Sequence, residues 1–211
     1  MNAETDAWLN SNDSKDYFAL LKMPTVGAEP LHLRDCVQAA TWLKKWLKGI
    51  GAEAELILPE EGKEKKDGSA VASPVPVVYG ELKGDAGATT VLVYGHYDVQ
   101  PPDPLDLWET PPFEPTLKGD RVYCRGAQDD KGQFFAFLCG VRELIEAAPA
   151  RRLPINVKFL LEGQEESGSG TLFRLLEDPY FRKRLAADVL LVSDTGAAAD
   201  LRPAIVAGLR G

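Results

Sequence analysis

The sequence predicts an α/β fold with a mixed, mostly parallel sheet flanked by helices. Four short aliphatic or β-branched runs bounded by Gly, Asp or Pro have the composition of buried strands, at 77–82, 90–94, 155–161 and 189–192. Apolar helical segments at 131–147 and 170–186 alternate with the last of these strands. Strands that alternate with helices favour a layered fold with a largely parallel sheet.

The other elements follow from periodicity and from turn residues. Segment 33–51 has apolar residues at spacings of three and four and ends in glycines, which predicts an amphipathic helix, and 53–58 predicts a strand. Segment 59–76 mixes charges with Gly and Pro and is expected to form an exposed loop. Segment 101–115 holds six of the 15 prolines and is expected to be a stiff, extended loop.

Composition restricts the class of protein. The 211 residues suffice for one large domain or for a domain plus a fragment, and 45% hydrophobic and 27% charged residues suit a folded enzyme. The net charge of -8 argues against binding to nucleic acid or to an anionic membrane. The N-terminus lacks a signal peptide and no apolar run approaches the roughly 20 residues that span a bilayer, which predicts a cytoplasmic protein.

Cysteine and histidine side chains are candidates for metal binding and catalysis, and the chain has three cysteines and two histidines. Cys36, Cys124 and Cys139 form no Cys-x-x-Cys pair and are expected to be reduced and structural. His32 precedes the 33–51 helix, where a surface or capping role is expected. His96 remains as the one histidine placed for chemistry.

His96 follows strand 90–94 and lies two residues before Asp98. The two side chains share a side if the strand continues. A carboxylate behind the second ring nitrogen of a metal-binding histidine fixes its tautomer and raises its basicity. Taken alone, this His-x-Asp spacing would be incidental, so its meaning depends on the acidic motifs elsewhere in the chain.

Three acidic motifs lie at the ends of predicted elements: Asp129 with Asp130, Glu165 with Glu166, and Asp194. Capping of the 131–147 helix accounts for one aspartate of the first pair but not for both. Because ligand sites in open α/β sheets form at the carboxyl ends of strands, these acids are expected to converge with the histidine. Carboxylates gathered there would repel one another unless neutralised, and a pair of divalent cations is the simplest neutraliser.

Four motifs make the sequence similar to a known family. They are Gly-His-Tyr-Asp-Val-Gln-Pro at 95–101, Trp108 with Pro112-Phe113, Arg-Gly through Asp-Asp-Lys-Gly at 125–132, and Glu-Gly-Gln-Glu-Glu-Ser-Gly at 162–168. In this order and spacing they resemble the di-zinc aminoacylase, carboxypeptidase G and dipeptidase family across nearly the whole chain. Asp-Val-Gln-Pro and the double Asp before Lys-Gly are similar to its carnosinase and cytosolic non-specific dipeptidase branch.

The resemblance implies a zinc-exopeptidase-like catalytic domain and a set of site residues. Its metal ligands would be His96, Asp129 and Asp194 for one Zn2+, with Asp129 bridging to a second Zn2+ that Glu166 also binds. Glu165 would be the general acid and base for a water that bridges the two ions, and Asp98 would support His96. The resemblance also implies a cis peptide between Asp129 and Asp130. Carboxylate-rich sites discriminate weakly between metals, so Mn2+ or Co2+ is an alternative.

The sequence departs from the family pattern in one respect. The second zinc of this family takes a further histidine, and no histidine follows His96 here. Family chains are also longer, so residues 1–211 are expected to be a truncated N-terminal portion of the catalytic domain that lacks its C-terminal part and the lid and dimerisation domain. Such a chain is expected to be weakly active or inactive by itself.

Three functions fit these residues. The first is hydrolysis of dipeptides with a free carboxylate, in a family whose full-length members tend to be homodimers. The second is deacylation of small N-acyl amino acids. The third is a non-catalytic, shortened homologue that binds metal or a protein partner. No Gly-x-Ser-x-Gly elbow or phosphate-binding Gly-Lys-Ser/Thr loop supports another catalytic route.

Overall fold

A computed structural model of the chain describes residues 3–59, 74–148 and 150–196. Six helices and seven strands occur in these residues in the order α1 (Ala3–Leu9), α2 (Asn12–Leu21), α3 (Leu33–Gly49), β1 (Glu53–Ile57), β2 (Val77–Leu82), β3 (Thr90–His96), β4 (Thr116–Lys118), β5 (Arg121–Tyr123), α4 (Lys131–Ala147), β6 (Asn156–Glu162), α5 (Gly170–Leu176), α6 (Pro179–Arg184) and β7 (Val189–Val192). Short 3-10 turns occupy Pro30–His32, Leu105–Leu107 and Glu165–Ser167.

The main sheet has five strands in the order β1-β2-β6-β3-β7. Strands β1 and β2 are antiparallel to their neighbours, whereas β3 runs parallel to both β6 and β7. This confirms the predicted mixed α/β sheet. Because β3, β6 and β7 share one direction, their carboxyl ends meet at the same edge, where His96 lies beside Glu162 in the register.

Helices cover the two faces of the sheet unequally. Helix α3 buries residues three and four apart, including Leu43 and Leu47, and α4 buries Phe134 and Leu138 in the same large core. A smaller core on the other face joins α5 and α6 to the sheet through Leu172, Leu175 and Phe181, among others. Within the described residues, the larger core therefore provides most of the hydrophobic stabilisation, since stabilisation grows with the apolar area buried.

Most predicted elements are confirmed, with boundaries that differ by a few residues. Strand β3 continues to His96, two residues beyond the predicted end, so the histidine belongs to the sheet itself. The single helix predicted over 170–186 is wrong, because α5 and α6 are separate helices. The Asp178 side chain accepts a hydrogen bond from the Tyr180 N–H, and Pro179 occupies the first turn of α6, which a continuous helix would not tolerate.

The loop predictions are only partly correct. The proline-rich segment 101–115 is not extended throughout, because it contains the 3-10 turn Leu105–Leu107. Of the loop expected at 59–76, residues 60–73 lie outside the described residues, and Val75 near its end is buried against the sheet. Helices α1 and α2 and the β4–β5 hairpin were not predicted. No described helix is both long enough and apolar enough to cross a membrane.

Candidate metal centre

Three side chains from distant parts of the chain converge at the carboxyl edge of the sheet. One ligand atom from each of His96, Asp129 and Asp194 lies within 4.8 Å of the other two. The Nε2 atom of His96 is 3.2 Å from Oδ1 of Asp129 and 3.6 Å from Oδ2 of Asp194. These are the three residues that the family resemblance implied as ligands of the first of two metal ions.

Local packing explains how the aspartate loop reaches the histidine. A Cβ on Gly95 would lie 2.6 Å from the Phe134 Cβ, so glycine lets the start of α4 approach the end of β3 closely. Asp130 stands at the N-cap of α4, but its side chain makes no capping hydrogen bond. Its Oδ2 instead accepts the backbone N–H of His96 at 2.9 Å. The expectation that one of the two aspartates caps this helix is therefore wrong for Asp130.

The Asp129–Asp130 peptide bond is cis, as the resemblance implied. Asp130 is buried while Asp129 is largely exposed, so the two neighbouring carboxylates have different environments. Burial raises the pKa of Asp130 to about 7, although the His96 N–H and the histidine charge oppose that rise. Asp130 thus bonds the His96 backbone, whereas the carboxylate of Asp129 lies beside the His96 imidazole.

The electrostatics of His96 suit a cation. Burial by itself lowers the pKa of the imidazole, but the hydrogen bond and charge of Asp98 and the charges of Asp130 and Glu165 outweigh burial and raise it to about 10. The buried Nε2 atom has no hydrogen-bond partner among the described residues, although three carboxylates lie within 4 Å of it. One imidazole nitrogen and carboxylate oxygens are a donor set that Zn2+ accepts. These residues fit a divalent metal.

Asp98 connects the histidine to the glutamate loop. Its Oδ1 lies 3.5 Å from Nδ1 of His96, and the Asp98 side chain is completely buried. Its two carboxylate oxygens also accept the backbone N–H groups of Glu165 and Glu166, each at 3.1 Å. The shared side predicted for His96 and Asp98 is present, and the same carboxylate also holds the turn that carries both glutamates.

The two glutamates have different surroundings. Oε2 of Glu165 is 3.8 Å from Nε2 of His96, so this carboxylate lies beside the cluster. Oε2 of Glu166 accepts a 2.6 Å hydrogen bond from the Gln100 side chain, and burial raises its pKa. Among the described residues, neither glutamate is close enough to all three members to join the cluster itself.

The remaining histidine and the cysteines have no part in this centre. His32 pairs with Asp35 through a 2.8 Å contact at the start of α3, which agrees with the surface role expected for it. Cys36, Cys124 and Cys139 are free thiols. The expectation of reduced cysteines is confirmed.

Sequence analysis missed three residues that support the centre. Gln100 bonds Glu166, and the buried Glu162 accepts hydrogen bonds from the hydroxyls of Tyr94 and Ser169. Lys131 directly follows the aspartate pair and is fully buried, and burial lowers its pKa to about 7. The only signal for all three was their presence within the quoted motifs.

Comparison with known proteins identifies the family. Residues 92–206 match the family described as Peptidase family M20/M25/M40. The chain belongs to this peptidase family. Its relatives include the Beta-Ala-His dipeptidase of Homo sapiens, 39% identical over 69% of this chain and 28% of that protein. Another is the Cys-Gly metallodipeptidase dug1 of Schizosaccharomyces pombe, 34% identical over 90% of this chain and 39% of that protein.

Solved structures of family M20 show the same fold. A metallo-carboxypeptidase, Sso-CP2 from Sulfolobus solfataricus, superimposes with a TM-score of 0.74 and 32% identity, over 92% of this chain and 39% of that one. Human carnosine dipeptidase 1 superimposes with a TM-score of 0.75 and 28% identity, over 90% of this chain and 39% of that one. The chain thus spans less than two fifths of the length of these relatives.

Proposed function

We propose that this chain carries the metal centre of a dipeptidase that cleaves the peptide bond next to a free C-terminal carboxylate. The observation that carries the proposal is the cluster of His96, Asp129 and Asp194 with the Glu165 carboxylate beside it. The names of the two M20 relatives, a Beta-Ala-His dipeptidase and a Cys-Gly metallodipeptidase, support small peptides as the substrate class.

The metal would be held by His96, Asp129 and Asp194, and Zn2+ is the ion proposed, with Mn2+ or Co2+ as alternatives. Glu166, together with a shared Asp129, would hold a second ion, and no histidine follows His96 in these 211 residues to complete its ligand set. When bound, such ions polarise the substrate carbonyl and lower the pKa of water to about 7.

Glu165 is the proposed general base and acid. Its carboxylate accepts a proton from the attacking water and delivers that proton to the departing amine. Asp98 holds the Glu165 backbone by a hydrogen bond and lies behind the imidazole of His96, so it positions both groups. Proton transfer of this kind contributes a factor of about 10² to 10⁴ in rate. Loss of the Glu165 carboxylate should therefore lower the turnover rate strongly while changing the metal affinity far less.

We infer that residues 1–211 correspond to the N-terminal portion of the catalytic domain of the longer M20 relatives. Groups that recognise the rest of the substrate would then lie in parts that these relatives have and the matched region does not include. Weak or absent hydrolysis by the 211 residues alone follows from this assignment. Homodimer formation and a cytoplasmic location stay predictions.

Deacylation of small N-acyl amino acids is the second candidate function. One relative is the Succinyl-diaminopimelate desuccinylase of Acidovorax ebreus, 40% identical over 87 residues. A dipeptidase and a deacylase both cleave an amide bond, so the same metal centre and the same Glu165 would serve either reaction.

Zinc binding to the purified 211-residue chain tests the proposed centre first. Titration should give at least one tightly bound ion per chain, and Asp129→Ala should abolish it. Asp120→Ala is the matched control, because Asp120 is an exposed aspartate in the β4–β5 hairpin. Absence of zinc binding by the wild-type chain would contradict the proposal.

Amino acid release then separates the two reactions. The zinc-loaded chain, or a longer protein that contains it, is assayed on β-alanyl-histidine, cysteinyl-glycine and N-succinyl amino acids. Release from the dipeptides that disappears in Glu165→Gln, with zinc still bound, supports the dipeptidase. Release from N-succinyl amino acids alone supports the deacylase, and release from no substrate by the longer protein supports a non-catalytic role.

A further inference from the structure

A segment near the N-terminus contacts the parts of the chain next to His96, next to Asp129 and next to the two glutamates. We name residues 17–27 the N-terminal brace. The Thr25 hydroxyl donates a 2.6 Å hydrogen bond to the carbonyl of Tyr97, and the Thr25 carbonyl accepts the Val99 N–H at 2.9 Å. The brace therefore fixes the backbone that directly follows His96.

The brace also packs against the loop of the two glutamates. A Cβ on Gly27 would lie 2.5 Å from the carbonyl oxygen of Gly163 and 3.0 Å from the Asp98 carboxylate. Only glycine leaves room for this approach. The contact places the brace next to Asp98, whose carboxylate accepts hydrogen bonds from the backbone N–H groups of Glu165 and Glu166.

Two side chains tie the brace to the aspartate loop. The Tyr17 hydroxyl donates a 2.6 Å hydrogen bond to the carbonyl of Ala127. The Nζ atom of Lys131 donates hydrogen bonds to the carbonyls of Leu20 at 3.2 Å and Met23 at 2.7 Å. Lysine is almost never fully buried without a partner, and the structure gives Lys131 two carbonyl acceptors on the brace.

We propose that Lys131 is a positioning residue through which the N-terminal brace holds Asp129 and His96 in metal-binding geometry. Lys131 follows Asp130 in the chain, and Asp130 accepts the backbone N–H of His96. A shift of the Lys131 side chain away from the brace would therefore move both ligand-bearing segments. The inference rests on the metal centre of the proposed function. It adds Lys131 and the brace as the residues that hold the segments carrying Asp129 and His96 in place.

Zinc affinity of matched variants tests this role. Lys131→Met keeps the length of the side chain but cannot donate, and Tyr17→Phe removes only the hydroxyl that bonds Ala127. Loss of support behind metal ligands typically weakens binding by about 10 to 100-fold, so the zinc Kd of Lys131→Met should rise within that range. Tyr17→Phe should raise it by a smaller factor.

Leu43→Ala is the control for simple destabilisation, because Leu43 is buried in the large core on α3 and contributes no atom to the brace or the centre. Its melting temperature should fall while its zinc Kd stays at the wild-type value. A zinc Kd unchanged in both Lys131→Met and Tyr17→Phe would overturn the proposal.

Hydrogen exchange of the metal-free chain gives a readout that does not depend on zinc. The Ala127 and Gly132 N–H groups bond within the aspartate loop, and both should exchange about tenfold faster in Lys131→Met than in Leu43→Ala. Equal exchange in these two variants would overturn the positioning role. A wild-type chain that binds no zinc would contradict the proposed metal centre, and the exchange rates would then still decide whether Lys131 holds the loop. If Lys131→Met does not fold, the comparison of Tyr17→Phe with Leu43→Ala decides the same point.

Discussion

Strands β3 and β7 are neighbours and each leads to a candidate metal ligand, yet their surroundings differ sharply. Strand β3 lies inside the sheet between β6 and β7, and its Leu92 is 7% exposed. Strand β7 stands at the edge, and its Leu190, the partner of Leu92 in the register, is 62% exposed. Beyond β7, the Thr195 N–H bonds the side chain of Gln133 on α4 at 3.2 Å.

The difference shows that the two ends of the candidate centre are held by different forces. His96 is fixed by burial, by Asp98 and by Asp130, so its position follows from the core. Asp194 depends on the backbone ladder between β3 and β7 and on a few polar contacts. A metal ion that joined His96 to Asp194 would therefore hold the edge strand to the interior.

The largest effect is expected when the same substitution is made on each strand. Leu92→Ala should lower the free energy of unfolding by about 2 to 5 kcal/mol, because it leaves a cavity in a packed core. Leu190→Ala should change it by less than about 0.5 kcal/mol, because its side chain is mostly in water. Urea unfolding of both variants measures the pair, and equal losses would show that β7 is packed as tightly as β3.

Zinc affinity should show the same asymmetry in the ligands. Loss of a residue that supports a metal ligand weakens binding by up to roughly 100-fold. His96→Ala removes the one nitrogen ligand itself, so its zinc Kd should rise by more than that factor. Asp194→Ala should cost less than His96→Ala, because the Asp194 side chain is only half-buried and water can replace its carboxylate. Competition against a coloured chelator measures both Kd values. A larger loss in Asp194→Ala would mean that the edge strand, and not the interior, determines affinity.

Zinc itself should reduce the difference between the two strands. At about 100 times its Kd, a ligand specific for the folded chain adds roughly 2.7 kcal/mol to the free energy of unfolding. Thermal melts with zinc and with a chelator measure this gain, and Asp129→Ala should lack it. Hydrogen exchange should also slow more in β7 than in β3, and equal slowing in both strands would contradict a metal link between them.

The smallest effect concerns the pH dependence of the interior. Burial raises the pKa of the Cys36 thiol to about 12 from its ordinary value of 9.0, and the charge of Asp98 adds to the rise. The unfolded chain therefore loses this proton first, and the folded state is penalised as the pH rises above 9.0. The stability difference between wild type and Cys36→Ala should change by about 1.4 kcal/mol from pH 8 to pH 10, to the disadvantage of wild type.

Unfolding in denaturant with a reducing agent at several pH values measures this difference. Leu190→Ala is the control, because it removes no titrating group and its difference from wild type should stay constant with pH. A constant difference for Cys36→Ala as well would mean that the Cys36 thiol ionises as readily in the folded chain as in the unfolded one.

Much of the fold followed from local pattern. Strand β2 and helix α4 have the predicted bounds, because a run of β-branched residues or a helical apolar period is strong enough to determine the element. The 170–186 helix was wrong because its apolar period masked the helix start at Asp178-Pro179. Helices α1 and α2 were missed, because seven and ten residues span too few turns to show a clear apolar period.

The α/β class followed from the pattern of strands and helices in the sequence, and the resemblance of its motifs to the M20 family implied the three residues that meet in the cluster. Strand ends and motif order are local properties that a linear sequence records, whereas the ligand set came from the resemblance. Tertiary structure alone decided that Asp130 bonds the His96 backbone, that Gln100 bonds Glu166, and that Lys131 reaches Leu20, 111 residues away. These partners are set by which buried donor meets which acceptor when distant segments pack, and a linear pattern does not record that choice.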